Sequence, residues 1–297
     1  VRFNKVGLVG VGLLGGSLGL ALRERRLAAH VAGFVRRSAS IGECLRHGAV
    51  DSASTDLDGI VQDADLVVLC TPVGQMAELA RRIGPLLSPN AVVTDVGSVK
   101  QGVVAAVLPS LPPGRFVGSH PMAGSELTGV AAARADLFAH ARCVITPTPD
   151  SHPDAIATLH HLWSGVGAVP IEMNPAEHDA LVARSSHLPH VLAAVLARNV
   201  LAPGQPDSLL DLCASGFRDT TRVASGSPEM WRDIVLENRN SLLEALRNWS
   251  SDLAAFTRAL EASDAAALEQ FLLEARDRRE LWQNHLRSRS LPETRPT

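Results

Sequence analysis

A chain of 297 residues with a hydrophobic fraction of 46% is long enough, and apolar enough, for two domains with full cores. A net charge of −3 gives no basic surface for nucleic acid or an anionic membrane, and the apolar runs are strand-length or broken by charge, so no membrane span is expected. The four cysteines, Cys44, Cys70, Cys143 and Cys213, show no C-x-x-C spacing, which argues against a metal knuckle or disulfide frame and for a reduced, cytoplasmic setting. Residues 5–9 read as a buried strand close to the N-terminus, so no signal peptide is expected.

Residues 16–22 read as the helix that follows this strand, and Gly10-Val11-Gly12-Leu13-Leu14-Gly15 joins the two. The G-x-G-x-x-G spacing has a mechanical reading. Gly10 makes a tight turn, Gly12 lets the backbone approach a pyrophosphate, and Gly15 lets the helix pack on the strand, with the helix N-terminus facing the anion. With Leu13 and Leu14 they are the first candidate dinucleotide-binding residues. Residues 30–35 read as the second strand. NAD-binding sheets usually end it on a carboxylate that bonds the ribose 2′-hydroxyl. Here the strand ends Val35-Arg36-Arg37-Ser38. Two guanidiniums and a hydroxyl suit a 2′-phosphate, so NADP is expected over NAD, with Arg36, Arg37 and Ser38 as contacts.

Residues 65–70 and 91–95 read as buried parallel strands rich in β-branched residues. Cys70 and Thr71, where the first of them ends, join the cofactor candidates. Residues 115–117 form an apolar run into Gly118-Ser119-His120-Pro121-Met122-Ala123-Gly124-Ser125-Glu126. Pro121 is expected to stop strand pairing. A histidine at the carboxyl end of a strand sits where open α/β sheets bind ligands, and an imidazole can take a proton from a substrate hydroxyl near neutral pH. Ser98 ends a nearby strand on the same rim and can converge with His120, or cap a helix before Val99. Residues 142–146 and 166–171 read as later strands of a parallel sheet with helices on both faces.

The second half is helical. Asn174 reads as an N-cap with Pro175 at the first helical position, and the apolar spacing runs to about Leu201 with a kink at Pro189. A helix from Ser227-Pro228-Glu229 is expected to reach about Ala262, and another to run from Ser263-Asp264 to about Arg287. Long helices without a sheet need a partner to bury their apolar faces. The organisation expected is therefore an α/β domain over residues 1–173, with a Rossmann-type doubly wound parallel sheet, then an all-helical dimerisation domain over 174–288. A disordered tail over 289–297 is expected to follow.

The chain resembles the prephenate/arogenate dehydrogenase family of tyrosine biosynthesis over nearly its whole length. The resemblance rests on the glycine loop, on Asp95-Val96-Gly97-Ser98-Val99-Lys100, on the block 118–126 and on Ser186-His187-Leu188-Pro189-His190. It continues through the blocks 216–222 and 230–238. It implies hydride transfer from the hydroxyl-bearing ring carbon of prephenate to NADP or NAD, with loss of carbon dioxide as the ring becomes aromatic. It implies His120 as acceptor of the hydroxyl proton, Ser98 as the serine orienting hydroxyl and histidine, and Arg222 as the anchor for substrate carboxylate. His190 would line the pocket, with Ser119 and Glu126 as further substrate contacts. Glu126 and Asp179 match acidic residues that form an ionic gate with the arginine in some relatives. Trp231 reads equally as a pocket wall or a core residue.

His187-x-x-His190 has Pro189 between its histidines and no third ligand, so no metal is expected. Prephenate and arogenate differ by a keto group against an ammonium, and the polar His190 leans towards prephenate. A hydroxyacid dehydrogenase with a helical catalytic lysine is disfavoured, because Lys5 and Lys100 are the only lysines. A dinucleotide sensor without turnover would be expected to lack His120 or Arg222, and both are present.

Overall fold

In the computed structural model, which describes residues 2–125 and 127–290, strands and helices alternate through the first half of the chain. β1 (Phe3–Val9) is followed by α1 (Leu13–Glu24), β2 (Ala28–Phe34), α2 (Ala39–Arg46), β3 (Ser52–Ser54) and α3 (Asp58–Val61). Next come β4 (Leu66–Leu69), α4 (Val73–Ile83), β5 (Val92–Asp95) and α5 (Gln101–Val107). The strands form a five-stranded parallel sheet in the Rossmann-type order β3-β2-β1-β4-β5. β1 has β2 on one side and β4 on the other, so the strand order reverses there and a crevice opens beyond the carboxyl ends of β1 and β4. Alternate residues of β4 feed different cores. Leu66 and Val68 pack with Leu18 and Leu22 of α1, whereas Val67 and Leu69 pack with Met76 and Leu79 of α4. Burial on both faces, at about 1.5–3 kcal/mol for each large apolar side chain, is why these strands read as unbroken apolar runs. β3 is a Ser-Ala-Ser edge strand without such a signal and was not anticipated.

The later strands do not extend this sheet. Phe116 makes one parallel bridge to Val93. The chain then enters β6 (Gly118–Pro121), which pairs antiparallel with β7 (Arg142–Thr146). After α6 (Pro153–Gly165), β8 (Val169–Glu172) pairs parallel with β7, giving a separate three-stranded sheet in the order β6-β7-β8. Pro121, expected to stop pairing, is the last residue of β6 and stands opposite Cys143. β6 is an edge of its sheet, where a missing N–H is tolerated, and the Met122 N–H resumes the ladder to the Arg142 carbonyl at 2.7 Å.

α7 (Pro175–Val182) starts as its sequence indicates, with Asn174 Oδ1 accepting from the Glu177 N–H at 2.8 Å. A π-helical turn, Ala183–His187, leads into α8 (Leu188–Val200). Pro189 lacks an N–H and its ring crowds the carbonyl one turn back, so the widened turn absorbs the kink. Helical continuity makes Pro175–Val200 long and apolar enough, by length and composition, to cross a membrane. From the charge-broken apolar runs no such helix was expected, and this one is itself interrupted by Glu177, Asp179, Arg184 and Arg198. The stretch also carries His178, Asp179 and His187, all buried and all bonded to other elements.

α9 (Asp207–Asp211), α10 (Ser215–Thr221) and a 3₁₀ turn, Arg222–Ser225, precede α11 (Pro228–Glu237). The helix expected to run on to about residue 262 breaks at Asn238, and α12 (Arg239–Glu261) starts afresh. The buried Asn238 amide donates to the Asp179 carbonyl at 2.7 Å and to His187 Nδ1 at 3.1 Å, and these bonds hold the break. α13 (Ala265–Ser290) opens with Asp264 Oδ1 accepting from the Ala267 N–H at 3.0 Å and passes its expected end near Arg287. The expected tail, from residue 291 on, lies outside the described residues. The chain divides into two compact units, residues 1–242 and 243–297, and the division falls within α12. In the second unit Phe256 and Phe271 meet edge to face, with ring centroids 5.3 Å apart.

Candidate active site

The crevice beyond β1 and β4 is a cleft of about 610 Å³. Gly10 turns there at φ +107, a conformation that strains other residues. A Cβ on Gly15 would stand 2.0 Å from the Gly10 carbonyl oxygen, whereas Gly12 has nothing within 4 Å of its missing Cβ. The first N–H groups of α1 have no acceptor within the helix, and their partial positive charge favours an anion. The Thr71 hydroxyl is buried in the cleft wall without a protein partner. An open cradle, a helix N-terminus and an orphan hydroxyl together fit a dinucleotide.

Arg36 and Arg37 reach the cleft from the end of β2, and Arg82 joins them from α4. Glu78, a carboxylate in the lining, is paired with Arg81 at 2.6 Å. Ser38 does not line the cleft. It sits exposed at the start of α2, and Ser40 lines the wall instead. The side chains of Leu13 and Leu14 also turn away. Leu14 packs on the core, and Leu13 lines a neighbouring pocket of about 440 Å³ with Met122 and Ser125. What these two residues offer the cleft is backbone N–H. Cys70 lines the cleft, and burial, followed by the charge of Asp95, pushes its thiol far up, so it stays protonated and unreactive.

The block 95–100 folds as a clamp. Asp95 and Lys100 are fully buried and ion-paired, and Lys100 Nζ also donates to the Ser119 carbonyl at 2.9 Å. Asp95 accepts further from the Gly97 N–H at 2.8 Å and the Ser119 N–H at 3.1 Å. Removing one member of such a pair strands a buried charge, at a cost of about 3–5 kcal/mol. The clamp ties β6 to the end of β5 and so fixes His120. Lys5 is engaged elsewhere, donating to the carbonyls of Gly59 and Gln62. Ser119 is the other face of the same strand. It is fully buried, its hydroxyl donates to the Asp95 carbonyl at 2.6 Å, and Thr94 Oγ1 lies 2.9 Å away. The expectation of a substrate contact there is corrected: strand alternation points Ser119 away from the side that carries His120.

His120 is buried, with Nδ1 2.8 Å from Nε2 of His178. His178 Nδ1 lies in turn 2.8 Å from Asp179 Oδ1. Asp179 accepts from the Lys100 N–H at 2.8 Å and the Gln101 N–H at 2.9 Å, so it caps α5. That is the place of a helix cap, and it corrects the cap expectation for Ser98. Burial, then the neighbouring His178, Lys100 and His187, hold His120 well below the usual histidine pKa. The imidazole is thus neutral at neutral pH. His187 is pushed down to about 4, chiefly by burial; Asp179 and the Ser98 backbone pull the other way.

His190 lies flat on Trp231, centroids 3.4 Å apart and planes within 11°, and burial lowers its pKa. The 3₁₀ turn that begins at Arg222 packs against α8, which carries His190, and Arg222 itself is exposed. Ser98 is half-buried in the loop before α5 and shares no hydrogen bond with His120; His187, against the Ser98 backbone, stands close to both. Glu126 lies outside the described residues. Among the described residues no three His, Cys, Asp or Glu side chains gather as a metal site requires. Sequence reasoning missed His178 altogether, along with Arg82 and the clamp role of Lys100. Glu177-His178 reads only as the start of α7, Asp179 matches a gate residue instead, and nothing local says that β6 will meet them.

Comparison with known proteins follows this geometry. The prephenate dehydrogenase nucleotide-binding domain matches residues 18–172, and the prephenate dehydrogenase dimerization domain matches residues 174–274. Prephenate dehydrogenase of Bacillus subtilis is 35% identical over 92% of this chain and 74% of its own. Cyclohexadienyl dehydrogenase of Zymomonas mobilis is 32% identical over 93% of this chain and 95% of its own. Among solved structures, prephenate dehydrogenase of Aquifex aeolicus in complex with hydroxyphenyl propionate and NAD+ is 31% identical. It superposes with a TM-score of 0.89 over 94% of this chain and 98% of its own.

Proposed function

The chain belongs to the prephenate dehydrogenase family, and from that premise we propose that it is a dehydrogenase converting prephenate to 4-hydroxyphenylpyruvate. The observation that carries this reading is a neutral, buried His120 whose Nδ1 is already committed, beside a cleft that fits a dinucleotide. His120 accepts the hydrogen bond of the ring hydroxyl and draws charge onto that oxygen as hydride leaves the same carbon. The electrons of the carbon–carboxylate bond pass into the ring as carbon dioxide departs, and the phenol recovers its proton. Nicotinamide, when bound, supplies the hydride acceptor. Ser98 orients the hydroxyl from the loop before α5. Arg222 holds a substrate carboxylate, and His190 on its Trp231 platform walls the pocket. Arogenate is the competing substrate, and the Zymomonas relative is named for the wider cyclohexadienyl class.

We favour NADP as cofactor. Arg36, Arg37 and Arg82 face the end of the cleft where a 2′-phosphate would lie, and β2 ends without the carboxylate that favours a free 2′-hydroxyl. The working form is a homodimer through the helical half, and the four free thiols fit a reducing compartment.

The test is reduced-nicotinamide absorbance with prephenate and arogenate crossed against NADP and NAD. Turnover with prephenate and NADP is expected. His120→Asn should lower kcat by roughly 10²–10⁴, the scale of a positioned general base, with cofactor still bound; near-normal turnover would remove His120 from the chemistry. Arg36→Asp should weaken NADP and spare NAD, and equal loss of both would return the arginines to the solvent.

A further inference from the structure

The direction of the hydrogen bonds behind His120 can be read from their far end. Asp179 accepts two backbone N–H groups at the start of α5, from Lys100 at 2.8 Å and Gln101 at 2.9 Å, which fixes it as a carboxylate. A carboxylate only accepts, so His178 Nδ1, 2.8 Å from Asp179 Oδ1, carries a proton. With that as the one proton of the ring, the other nitrogen, Nε2, is a bare acceptor. His120 Nδ1, 2.8 Å away, donates to it, and the proton of His120 is spent on that side. The Nε2 of His120 is left bare.

We propose that His178 and Asp179 are positioning residues that hold His120 in the one tautomer whose Nε2 can accept the substrate hydroxyl proton. The inference rests on His120 being the base. The surroundings suit the task. All three side chains are buried, so water does not compete for these bonds. The rings of His120 and His178 stand at 75°, with centroids 5.0 Å apart, so each blocks the other from turning over. The Asn174 carbonyl takes the His178 N–H at 3.0 Å, in the first turn of α7, and so fixes the backbone that carries the second ring. One carboxylate thereby sets both the start of α5 and the tautomer of the base. An orienting carboxylate behind a histidine does similar work in hydrolytic triads, where the wrong tautomer is nearly inactive.

The experiment compares the parent protein with His178→Gln, His178→Leu and His120→Asn. Glutamine can place an amide oxygen where Nε2 stood and still accept from His120, whereas leucine cannot. Imidazole ¹⁵N shifts of the cofactor-free parent should show His120 bare at Nε2. His178→Leu should lower kcat roughly 10- to 100-fold, the scale known for partners that orient metal-bound histidines, with KM held within about twofold. His178→Gln should recover most of that loss, which a merely structural role would not predict. A bare Nδ1 on His120 in the parent, the pattern a protonated His178 would impose, overturns the proposal. So does a His178→Leu enzyme that turns over like the parent while His120→Asn is inactive. Full turnover by His120→Asn sinks the base assignment itself, whatever the shifts of the parent show.

Discussion

Gly12 and Gly15 occupy the same motif for opposite physical reasons. At Gly15 a side chain has no room, because its Cβ would overlap the Gly10 carbonyl at 2.0 Å. At Gly12 there is room, and the room is what a pyrophosphate needs. Gly12→Ala should therefore fold with an unchanged Tm and bind dinucleotide at least about tenfold more weakly, since the methyl stands where a phosphate would come. Gly15→Ala should lower Tm by several degrees even without cofactor, because strand and helix must part. Calorimetry with and without NADP separates the two, and a Gly12→Ala protein that binds normally would place the pyrophosphate elsewhere. This loop was legible in the sequence because its spacing encodes a mechanical requirement. His178 was not, because its role comes from a strand more than fifty residues away that happens to end against it. Ser119 and Ser38 were misjudged for a related reason. Type and position suggest a polar contact, but only the register of β6 and the lining of the cleft decide which way each hydroxyl faces.

Elements join the site through buried polar groups rather than through apolar periodicity. Periodicity reads α11 and α12 as one helix, whereas Asn238 breaks it to reach the Asp179 carbonyl and His187 Nδ1. The cap at Asn174 and the helix start at Ser227, whose hydroxyl accepts from the Met230 N–H at 3.3 Å, were legible because they are local; the break is tertiary and was not. The second sheet escaped notice likewise, since strands 142–146 and 169–172 carry no mark of the direction in which they will pair. The junction at His187 has a consequence for acid stability. This ring stays neutral in the fold down to about pH 4, against an ordinary value of 6.5. Its contribution is whole above pH 6.5. As pH falls from 6.5 to about 4 the unfolded chain takes up a proton that the fold refuses, at about 1.4 kcal/mol per pH unit. Below about 4 this residue adds no further loss. Urea midpoints across that window should fall less steeply for His187→Asn, which can keep an acceptor for Asn238 but cannot titrate. Parallel slopes in the two proteins would show that His187 is already protonated in the fold.

The parallel sheet of the first compact unit buries its apolar surface within the chain, on both faces, whereas residues in the helical part of the same unit, such as Leu212 at 79% and Leu236 at 61%, stay exposed. In residues 243–297 much of the apolar surface stays exposed: Leu272 at 59%, Leu281 at 70% and Trp282 at 52%, all on α13. A 26-residue helix with such residues in water gains little from folding unless another surface covers them. The dimerization-domain match spans residues 174–274 and so includes Leu272, which makes a second copy the cover to test. The expected mass in solution is therefore twice 31.5 kDa, with a Tm that rises with protein concentration, as mass action requires of a fold completed by association. Leu272→Glu combined with Leu281→Glu should shift the mass towards the single chain and remove that concentration dependence, because two charges cannot be buried unpaired across an interface. Light scattering on the parent and the double variant decides it. A parent that runs as one chain would refute the dimer outright. A double variant that still pairs would show that α13 is covered by something other than the dimer interface.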